Sequence, residues 1–309
     1  MMNELIYLYK TNKSKKLYKL DGSHIIEEHG LTYIVPVLMM KLGLFDNSII
    51  KSLYSVVAKE IYDKSNKKFK TNEECKDAIL DFIKSHKFNQ NQIEEIKYKT
   101  FNINTYPTIN SFFIREIDMS LRPTINNKYK VNLYSPADCR MKIIKANNTF
   151  NVKGKVIKLD DIGFDTRLPC STIMICRLAP CDYHRFHSPV YGKIIDIKEI
   201  KSDINISVND MVMPEFNPYC INSRKIIKIL LKTKQILEMA IIGATFVGDI
   251  IINKMIGNVL YAGDELGYFK LGSCIILKLN NIKLDERLSD NNEYYINVKE
   301  HLGTFLFTK

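Results

Sequence analysis

The sequence predicts an α+β fold, in which a helical N-terminal region is followed by a β-rich, mainly antiparallel catalytic domain. In residues 1–130, apolar residues recur at three- and four-residue spacing, as on one face of a helix. Residues 131–309 contain short runs rich in β-branched residues, separated by Gly, Asn, Asp and Pro. With 309 residues, 46% of them hydrophobic, the chain can form one large domain or two smaller ones with a substantial core.

Three segments define the predicted helical region. Residues 31–45 are strongly apolar, and residues 47–70 carry one apolar face with lysines around it. Residues 71–88 begin with Thr71 followed by Glu74, the pattern of a capped helix start, and continue into an apolar stripe. Two interpretations remain open: a helical domain that packs its own stripes, or a basic amphipathic surface that docks on anionic lipid.

The second region contains five segments typical of strands. They are residues 171–178, 193–200, 224–233, 236–242 and 246–254. Some of them alternate polar with apolar residues, which predicts antiparallel sheets with one covered face. Neither GxGxxG nor GxxxxGK[ST] occurs, so the sequence gives no sign of a nucleotide site.

The chain is basic, with 45 Lys and Arg against 34 Asp and Glu and a net charge of +11. A basic surface suits nucleic acid, an anionic membrane or an acidic small substrate, and charge alone does not choose among them. The many Lys, Asn and Ile residues are also typical of an AT-biased genome, which raises the Lys count without any function.

Cysteine usage and the absence of apolar signals predict the compartment. The seven cysteines form no CxxC pair, and the start of the chain lacks the apolar core of a signal peptide. These features favour a reducing compartment with free thiols and no structural zinc. No apolar run approaches the ~20 residues of a membrane-spanning helix, so any contact with a membrane is predicted to be peripheral.

Two of the six histidines lie close together in RLAPCDYHRFHSPVYG, residues 177–192. They lie in a polar segment that follows an apolar strand, the usual place for a catalytic group. The polar residues there are His184, His187, Asp182, Tyr183 and Arg185. A single histidine would more often be structural, whereas two histidines beside Arg and Asp favour a functional site.

An acid and a hydroxyl complete the candidate site. Asp138, in YSPADCR (134–140), would by itself be an ordinary turn residue. Ser273 lies in GYFKLGSCIILKL (267–279), where Gly-Ser-Cys interrupts two apolar runs. An Asp, a His and a Ser from separate loops can make a base that acts on a hydroxyl, and Ser273 is the hydroxyl that we pair with them.

Several segments together resemble the phosphatidylserine decarboxylases, enzymes with a self-generated pyruvoyl group. The resemblance covers residues 100–280, and its segments follow the family's order and approximate spacing. They are NSFFIREIDMSLRP (110–123), SPADCR (135–140), RLAPCDYHRFHSPVYG (177–192), IGATFVGDI (242–250) and AGDELGYFKLGSC (262–274).

The resemblance implies a role for each matched residue. Ser273 would attack the carbonyl carbon of Gly272 and turn the amide into an ester. Elimination across the Ser273 Cα–Cβ bond would then free the upstream chain and leave dehydroalanine. Tautomerisation and hydrolysis, with release of the nitrogen as ammonia, would leave a pyruvoyl group at position 273. His187 matches the histidine that takes the serine proton, and Asp138 matches the acid that orients it. His184 matches a second histidine used near the substrate, in proton transfer during decarboxylation.

The implied enzyme is a lyase of phospholipid biosynthesis made as a zymogen. Residues 1–272 would form the larger chain and residues 273–309 the smaller. The pyruvoyl carbonyl would form a Schiff base with the substrate amine and take up the electrons left by CO2. The resemblance implies conversion of phosphatidylserine to phosphatidylethanolamine by a peripheral protein on the cytoplasmic side of a membrane, as a homodimer, without metal or nucleic acid.

The sequence departs from the family pattern at two cysteines. Cys139 stands where the family has Gly, and it would be strained if that turn needed a positive φ. Cys274 stands where the family has Thr or Ser, and its thiol would compete as nucleophile if the cut moved to between Ser273 and Cys274. Arg115 and Arg122 also match family arginines, for which surface salt bridges or a structural or phosphate-contacting role remain open.

Two other functions remain open from the sequence. A pyruvoyl-dependent decarboxylase of a soluble amino acid would use the same chemistry on a different substrate. A non-catalytic lipid-binding relative is favoured by the two cysteines and opposed by the presence of all four candidate catalytic residues.

Overall fold

The structure is a computed structural model. It describes residues 14–28, 56, 59–97, 101–125, 131–152, 154–203, 205–208, 217–244, 249–290 and 292–307. The predicted apolar segment 31–45 and much of the predicted helix 47–70 lie outside these residues. Among the helices that are described, none is long and apolar enough to cross a membrane.

The β-rich region is built on a ten-stranded sheet. In order across the sheet, its strands are β13 (Val259–Leu260), β9 (Gly192–Ile200), β10 (Arg224–Leu231), β11 (Ile236–Gly243), β15 (Ser273–Leu279), β7 (Thr172–Leu178), β4 (Cys139–Lys145), β17 (Glu293–Ile296), β1 (Ser14–Tyr18) and β2 (His24–Glu28). Every neighbouring pair is antiparallel except β1 with β17, which confirms a β-rich, mainly antiparallel α+β fold.

Smaller sheets and short helices surround this sheet. The remaining strands are β12 (Ile250–Ile252), β14 (Glu265–Phe269) and β8 (Arg185–His187) in one sheet, β16 (Ile282–Leu284), β18 (His301–Phe305) and β3 (Asn132–Tyr134) in another, and the hairpin of β5 (Thr149–Val152) and β6 (Lys155–Lys158). The helices are α1 (Asn72–Ser85), α2 (Gln90–Lys97), α3 (Ile109–Phe113), α4 (Leu159–Ile162), α5 (Pro218–Ile221) and a 3₁₀ turn (Met119–Leu121). Residues 59–66 are also helical.

Four predicted strands coincide with β7, β9, β10 and β11 to within two residues at either end. The fifth, residues 246–254, contains β12, although residues 245–248 lie outside the described part of the chain. The division of the chain at residue 130 stays a prediction.

Helix α1 begins as the sequence predicts. The Thr71 hydroxyl accepts a hydrogen bond from the Glu74 amide at 3.1 Å, and the Glu74 carboxylate accepts one from the Lys70 amide at 2.7 Å. These contacts satisfy backbone donors that a helix start leaves unpaired. The buried face of α1 carries Cys75 and Ile79, which pack into an aromatic cluster that also contacts the loop after β7.

The N-terminal region also contains a hairpin that the helical prediction missed. Strands β1 and β2 are joined by a turn in which Gly22 has a φ of 84°. Asp21-Gly22 between two strand-forming runs is a strong hairpin signal, since glycine adopts positive φ without strain. Tyr18 pairs with Tyr294 of β17, so this hairpin extends the sheet of the second region.

Strand β15 runs through the centre of the large sheet, between β11 and β7, and all its residues are buried. Ile275 and Leu277 face one core cluster, and Ile276 faces the cluster on the other side of the sheet. Near its far end, Lys278 contacts Glu238 of β11 at 2.7 Å in a buried ion pair. Strand β15 is therefore held by both neighbours along its length.

Candidate active site

The candidate site lies where the small sheet of β8, β12 and β14 meets the start of β15. Strand β14 ends at Phe269, and residues 270–272 carry the chain to Ser273. The Phe269 amide donates to the His184 carbonyl at 3.0 Å, and the Lys270 amide donates to the Asp249 carbonyl at 3.1 Å. Neighbouring loops therefore fix this connection, and the loop of His184 adjoins it.

Ser273 is fully buried, and its hydroxyl has no hydrogen-bond partner among the described residues. The preceding residue, Gly272, has a φ of 45°, in the left-handed region that favours glycine. The Gly272 carbonyl accepts a hydrogen bond from the Ala244 amide at 3.0 Å. A buried hydroxyl without a partner costs about 1–3 kcal/mol, so this arrangement reduces stability and is typical of a reactive position.

Cys274 lies on the other face of the sheet. Successive residues of a strand point to opposite sides, and Cys274 packs in the same core cluster as Ile276, whereas Ile275 belongs to the cluster on the side of Ser273. The thiol sulfur lies 3.8 Å from the Ile275 carbonyl oxygen. This geometry does not favour a cut between Ser273 and Cys274.

His184 is fully buried and neutral. Its Nδ1 donates to the Asp182 carbonyl at 2.9 Å, and its ring packs against Phe113 with 3.8 Å between centroids. A carbonyl only accepts, so the proton is on Nδ1 and Nε2 carries a lone pair. That Nε2 has no partner among the described residues. Burial lowers the pKa of His184 from 6.5 to about 3.

His187 is also buried, but both its ring nitrogens are occupied. Nδ1 donates to the Gly263 carbonyl at 2.9 Å, and Nε2 lies 3.0 Å from the Tyr183 hydroxyl, which donates to it. Burial lowers the pKa of His187, and the Gly263 hydrogen bond with the negative charges of Glu265 and Asp138 partly opposes that shift. The orienting contact expected from Asp138 is made instead by Gly263 and Tyr183.

Asp138 is held in a buried network next to His187. Its carboxylate accepts from the Val298 amide at 2.7 Å and from Arg122 at 2.5 Å. Arg122 also pairs with Glu95 at 2.5 Å. The loop of Asp138 touches the histidine segment directly, because the His187 amide donates to the Pro136 carbonyl at 2.8 Å. Arg122 is buried, so a surface salt bridge is the wrong interpretation for it.

Cys139 fits its position without strain. The non-glycine residues with positive φ in the described chain are Lys87, Lys234, Asn281 and Lys299, and Cys139 is not one of them. Cys139 begins strand β4 and is buried in the core cluster that faces the small sheet. A glycine is therefore not required there, and the backbone beside Asp138 is regular.

A second buried network fixes the loop that carries His184. Arg115 donates to the carbonyls of Cys181 and Asp182 at 2.8 and 3.1 Å, and its Nε and Nη1 have no partner among the described residues. The Asp182 carboxylate accepts from the Ala179 amide at 2.7 Å and pairs with Arg140. Arg115 is buried, so it too is not a surface salt bridge.

Sequence reasoning placed Tyr183 beside the two histidines without giving it a role, and it missed Ala244. Both lie inside the segments that carry the family resemblance, so their neighbourhood is visible in the sequence. Their contacts are not, since Tyr183 reaches His187 and Ala244 reaches Gly272 only in the folded chain.

The sequence of this chain is similar to those of one known family. The sequence model of one family, described as phosphatidylserine decarboxylase, matches residues 109–303. This range is more than half of the chain and contains all four predicted catalytic residues.

Three relatives illustrate the similarity. The phosphatidylserine decarboxylase proenzyme of Clostridium kluyveri is 31% identical, with 96% of each chain covered. That of Fusobacterium nucleatum is 30% identical over 82% of this chain and 85% of its own length. Phosphatidylserine decarboxylase proenzyme 2 of Saccharomyces cerevisiae is 33% identical over 92% of this chain, which spans only 25% of that longer protein.

Burial of His184 predicts a pH-dependent loss of stability. Between its unfolded pKa of 6.5 and its folded pKa of about 3, the unfolded chain binds a proton there that the folded chain does not. The free energy of unfolding therefore falls as pH is lowered through this window, by about 1.4 kcal/mol per pH unit. Urea unfolding of Ser273→Ala protein, with and without His184→Asn, measures this contribution.

We expect the protein with His184 to lose about 2 kcal/mol more than the His184→Asn variant between about pH 6.5 and about pH 5. The Ser273→Ala background removes the hydroxyl that is predicted to attack Gly272, so each transition refers to one covalent species. Equal pH dependence of the two proteins would contradict the neutral, buried state of His184.

Proposed function

Because the chain belongs to the phosphatidylserine decarboxylase family, we propose that it converts phosphatidylserine to phosphatidylethanolamine and CO2 with a pyruvoyl group made from its own Ser273. The observation that carries this proposal is the buried, unpaired hydroxyl of Ser273 directly after a left-handed Gly272. The proenzyme names of the relatives support processing into two chains.

The residues around position 273 fit a pyruvoyl group. Strand β15 starts there in a fully buried environment, and the unpaired Ser273 hydroxyl is free to react. The chemistry that a pyruvoyl group supplies is a carbonyl that bonds to the substrate amine and takes up the electron pair left by CO2. No metal or nucleotide is needed for this chemistry.

The chain itself provides the groups for self-cleavage. When the Ser273 hydroxyl adds to the Gly272 carbonyl carbon, negative charge develops on the Gly272 oxygen. The Ala244 amide already donates to that oxygen at 3.0 Å, the arrangement that stabilises an oxyanion. The left-handed φ of Gly272 gives this peptide a conformation that other residues rarely adopt.

We assign the proton from Ser273 to His187. Its Nδ1 hydrogen is fixed by the Gly263 carbonyl, which leaves the Nε2 lone pair as the base. The Tyr183 hydroxyl occupies that lone pair and has to rotate away before the proton is taken. The nearby negative charges of Glu265 and, to a smaller extent, Asp138 stabilise the imidazolium that results.

His184 is placed to orient the substrate. Its Nε2 lone pair is unpaired and neutral at physiological pH, so it can accept a hydrogen bond from the substrate amine, while its low pKa makes it a weak base. Arg115 is close enough for its charge to lower the pKa of His184, and its two unpaired nitrogens suit an anionic group of the substrate.

The substrate implies a peripheral membrane protein. The net charge of +11 favours an anionic lipid surface, and the seven cysteines form no disulfide, as in a reducing compartment. We therefore place the protein on the cytoplasmic side of a membrane. A homodimer stays a prediction from the family resemblance.

The substrate assignment predicts release of labelled CO2 from carboxyl-labelled phosphatidylserine in mixed micelles, with phosphatidylethanolamine as the second product. Free L-serine is the control substrate and should give no CO2, because it lacks the phosphate and the acyl chains. Ser273→Ala protein should be inactive on both. A cleaved protein that decarboxylates only the free amino acid would favour the soluble-substrate alternative, and an uncleaved, inactive protein that binds vesicles would favour the non-catalytic one.

The amide of Ala244 predicts a backbone contribution to self-cleavage. Ala244→Pro removes the N–H that contacts the Gly272 oxygen, whereas Ala244→Gly keeps it. We expect the proline variant to split about a hundredfold more slowly than the glycine variant, the typical effect of losing one oxyanion donor. Denaturing gels sampled during refolding give the rates.

The same two substitutions in the Ser273→Ala background show whether the fold is kept, by circular dichroism and thermal unfolding. If both variants are folded and split at equal rates, the Ala244 amide has no role in the cleavage.

A further inference from the structure

Four large apolar side chains stand exposed on one short segment near the site. Their exposed fractions are 71% for Met255, 59% for Ile256, 54% for Val259 and 48% for Tyr261. We call these four residues the edge patch. Single exposed apolar residues are ordinary, but four on seven consecutive positions indicate a surface that meets something apolar.

The tip of the edge patch is a rigid turn that projects from the protein. The Met255 amide donates to the Asn258 side chain at 2.9 Å, and the Asn258 amide donates back to the Met255 carbonyl at 3.1 Å. The Gly257 amide is anchored to the Ile194 carbonyl at 2.8 Å. A Cβ at Gly257 would meet no atom within 4 Å, so the turn faces open space.

Basic and apolar residues continue this surface along the edge of the large sheet. Val259 of the edge strand β13 pairs with Lys193, which in turn pairs with Leu230. Lys193 is exposed, as are Leu230 and the neighbouring Ile195 in part. An apolar tip bordered by lysine complements the anionic headgroups and acyl chains of a bilayer.

The chain leads directly from the edge patch into the candidate site, and hydrogen bonds hold this connection in place. The Tyr261 amide donates to the Asp264 carboxylate at 2.9 Å, and the Gly263 amide donates to the Ser188 carbonyl at 2.8 Å. The Gly263 carbonyl is the group that fixes His187. Only Ala262 therefore separates the exposed Tyr261 from Gly263, the residue that orients the proposed base.

We propose that the edge patch is the surface by which the protein docks on an anionic phospholipid bilayer, with Met255 and Ile256 entering the acyl-chain boundary. This inference rests on the proposed function, since a substrate held in a bilayer must be met by a face close to the site. A turn tip that projects into open space suits a fluid lipid interface better than a flat contact between two proteins.

The chain contains no tryptophan, so one substitution gives a single fluorescent reporter. Ile256→Trp places it in the edge patch. Ile26→Trp is the matched control, because Ile26 is the same residue type with a similar exposed fraction of 56%, on β2 at the opposite edge of the ten-stranded sheet. At ~4.8 Å per strand, nine strand spacings separate the two edges by about 40 Å.

Both proteins are mixed with phosphatidylcholine vesicles that contain about one third phosphatidylglycerol, an anionic lipid that lacks the serine headgroup. We expect the emission of Ile256→Trp to move to shorter wavelength and to be quenched by brominated acyl chains. The emission of Ile26→Trp should not change. In vesicle flotation, the double variant Met255→Ser/Ile256→Ser should bind vesicles at least about tenfold more weakly than wild type. The control variant Ile26→Ser should bind them as tightly as wild type.

Several outcomes would overturn the proposal. If the vesicles quench both reporters equally, or quench neither, the edge patch is not the surface that docks on the bilayer. A short-wavelength emission of Ile256→Trp without vesicles, together with a dimer in light scattering that Met255→Ser/Ile256→Ser converts to monomer, would show that a second copy covers the edge patch. The vesicles contain no phosphatidylserine, and binding can also be measured with Ser273→Ala protein. The assay therefore tests docking independently of the proposed decarboxylase activity.

Discussion

The burial of strand β15 between β11 and β7 is the constraint on which the rest of the site depends. Ser273 is its first residue, so the reactive hydroxyl is placed by the register of two antiparallel pairings, Gly243 with Ser273 and Ser273 with Leu178. The same register puts Ala244, the residue after Gly243, beside the Gly272 carbonyl. A one-residue slip would turn Ser273 to the opposite face and bring Cys274 to its place.

The same constraint would keep the protein folded after the proposed cleavage. If the chain breaks after Gly272, residues 273–309 would still supply β15 to the middle of the large sheet, paired with β11 and β7. The buried contact of Lys278 with Glu238 adds a charged anchor on the same strand. Removing one partner of such a buried pair is strongly destabilising, so the pair holds the strand in register.

Burial determines the protonation state of the two histidines as well as the positions of the site residues. Both histidines are neutral because desolvation disfavours the imidazolium, and each donates its Nδ1 hydrogen to a backbone carbonyl. The difference lies at Nε2, which is occupied by Tyr183 in His187 and unpaired in His184. The fold thus separates two histidines only three positions apart into different chemical environments.

The sequence was most informative where a pattern is local. The capped start of α1, four of the strands and the four candidate catalytic residues are all visible in short segments. The hairpin of β1 and β2 departs from the helical prediction because its local Asp21-Gly22 turn signal is independent of the apolar periodicity that predicts helices. Contacts such as Arg122 with Asp138 and Ala244 with Gly272 depend on how distant segments come together, which no local pattern encodes.

The most direct test of the central claim is the intact mass, under denaturing conditions, of purified wild-type and Ser273→Ala protein. We expect two wild-type chains, residues 1–272 and a smaller chain that begins with a pyruvoyl group at position 273, and one Ser273→Ala chain. A single full-length wild-type species, or a cut between Ser273 and Cys274, would contradict the account.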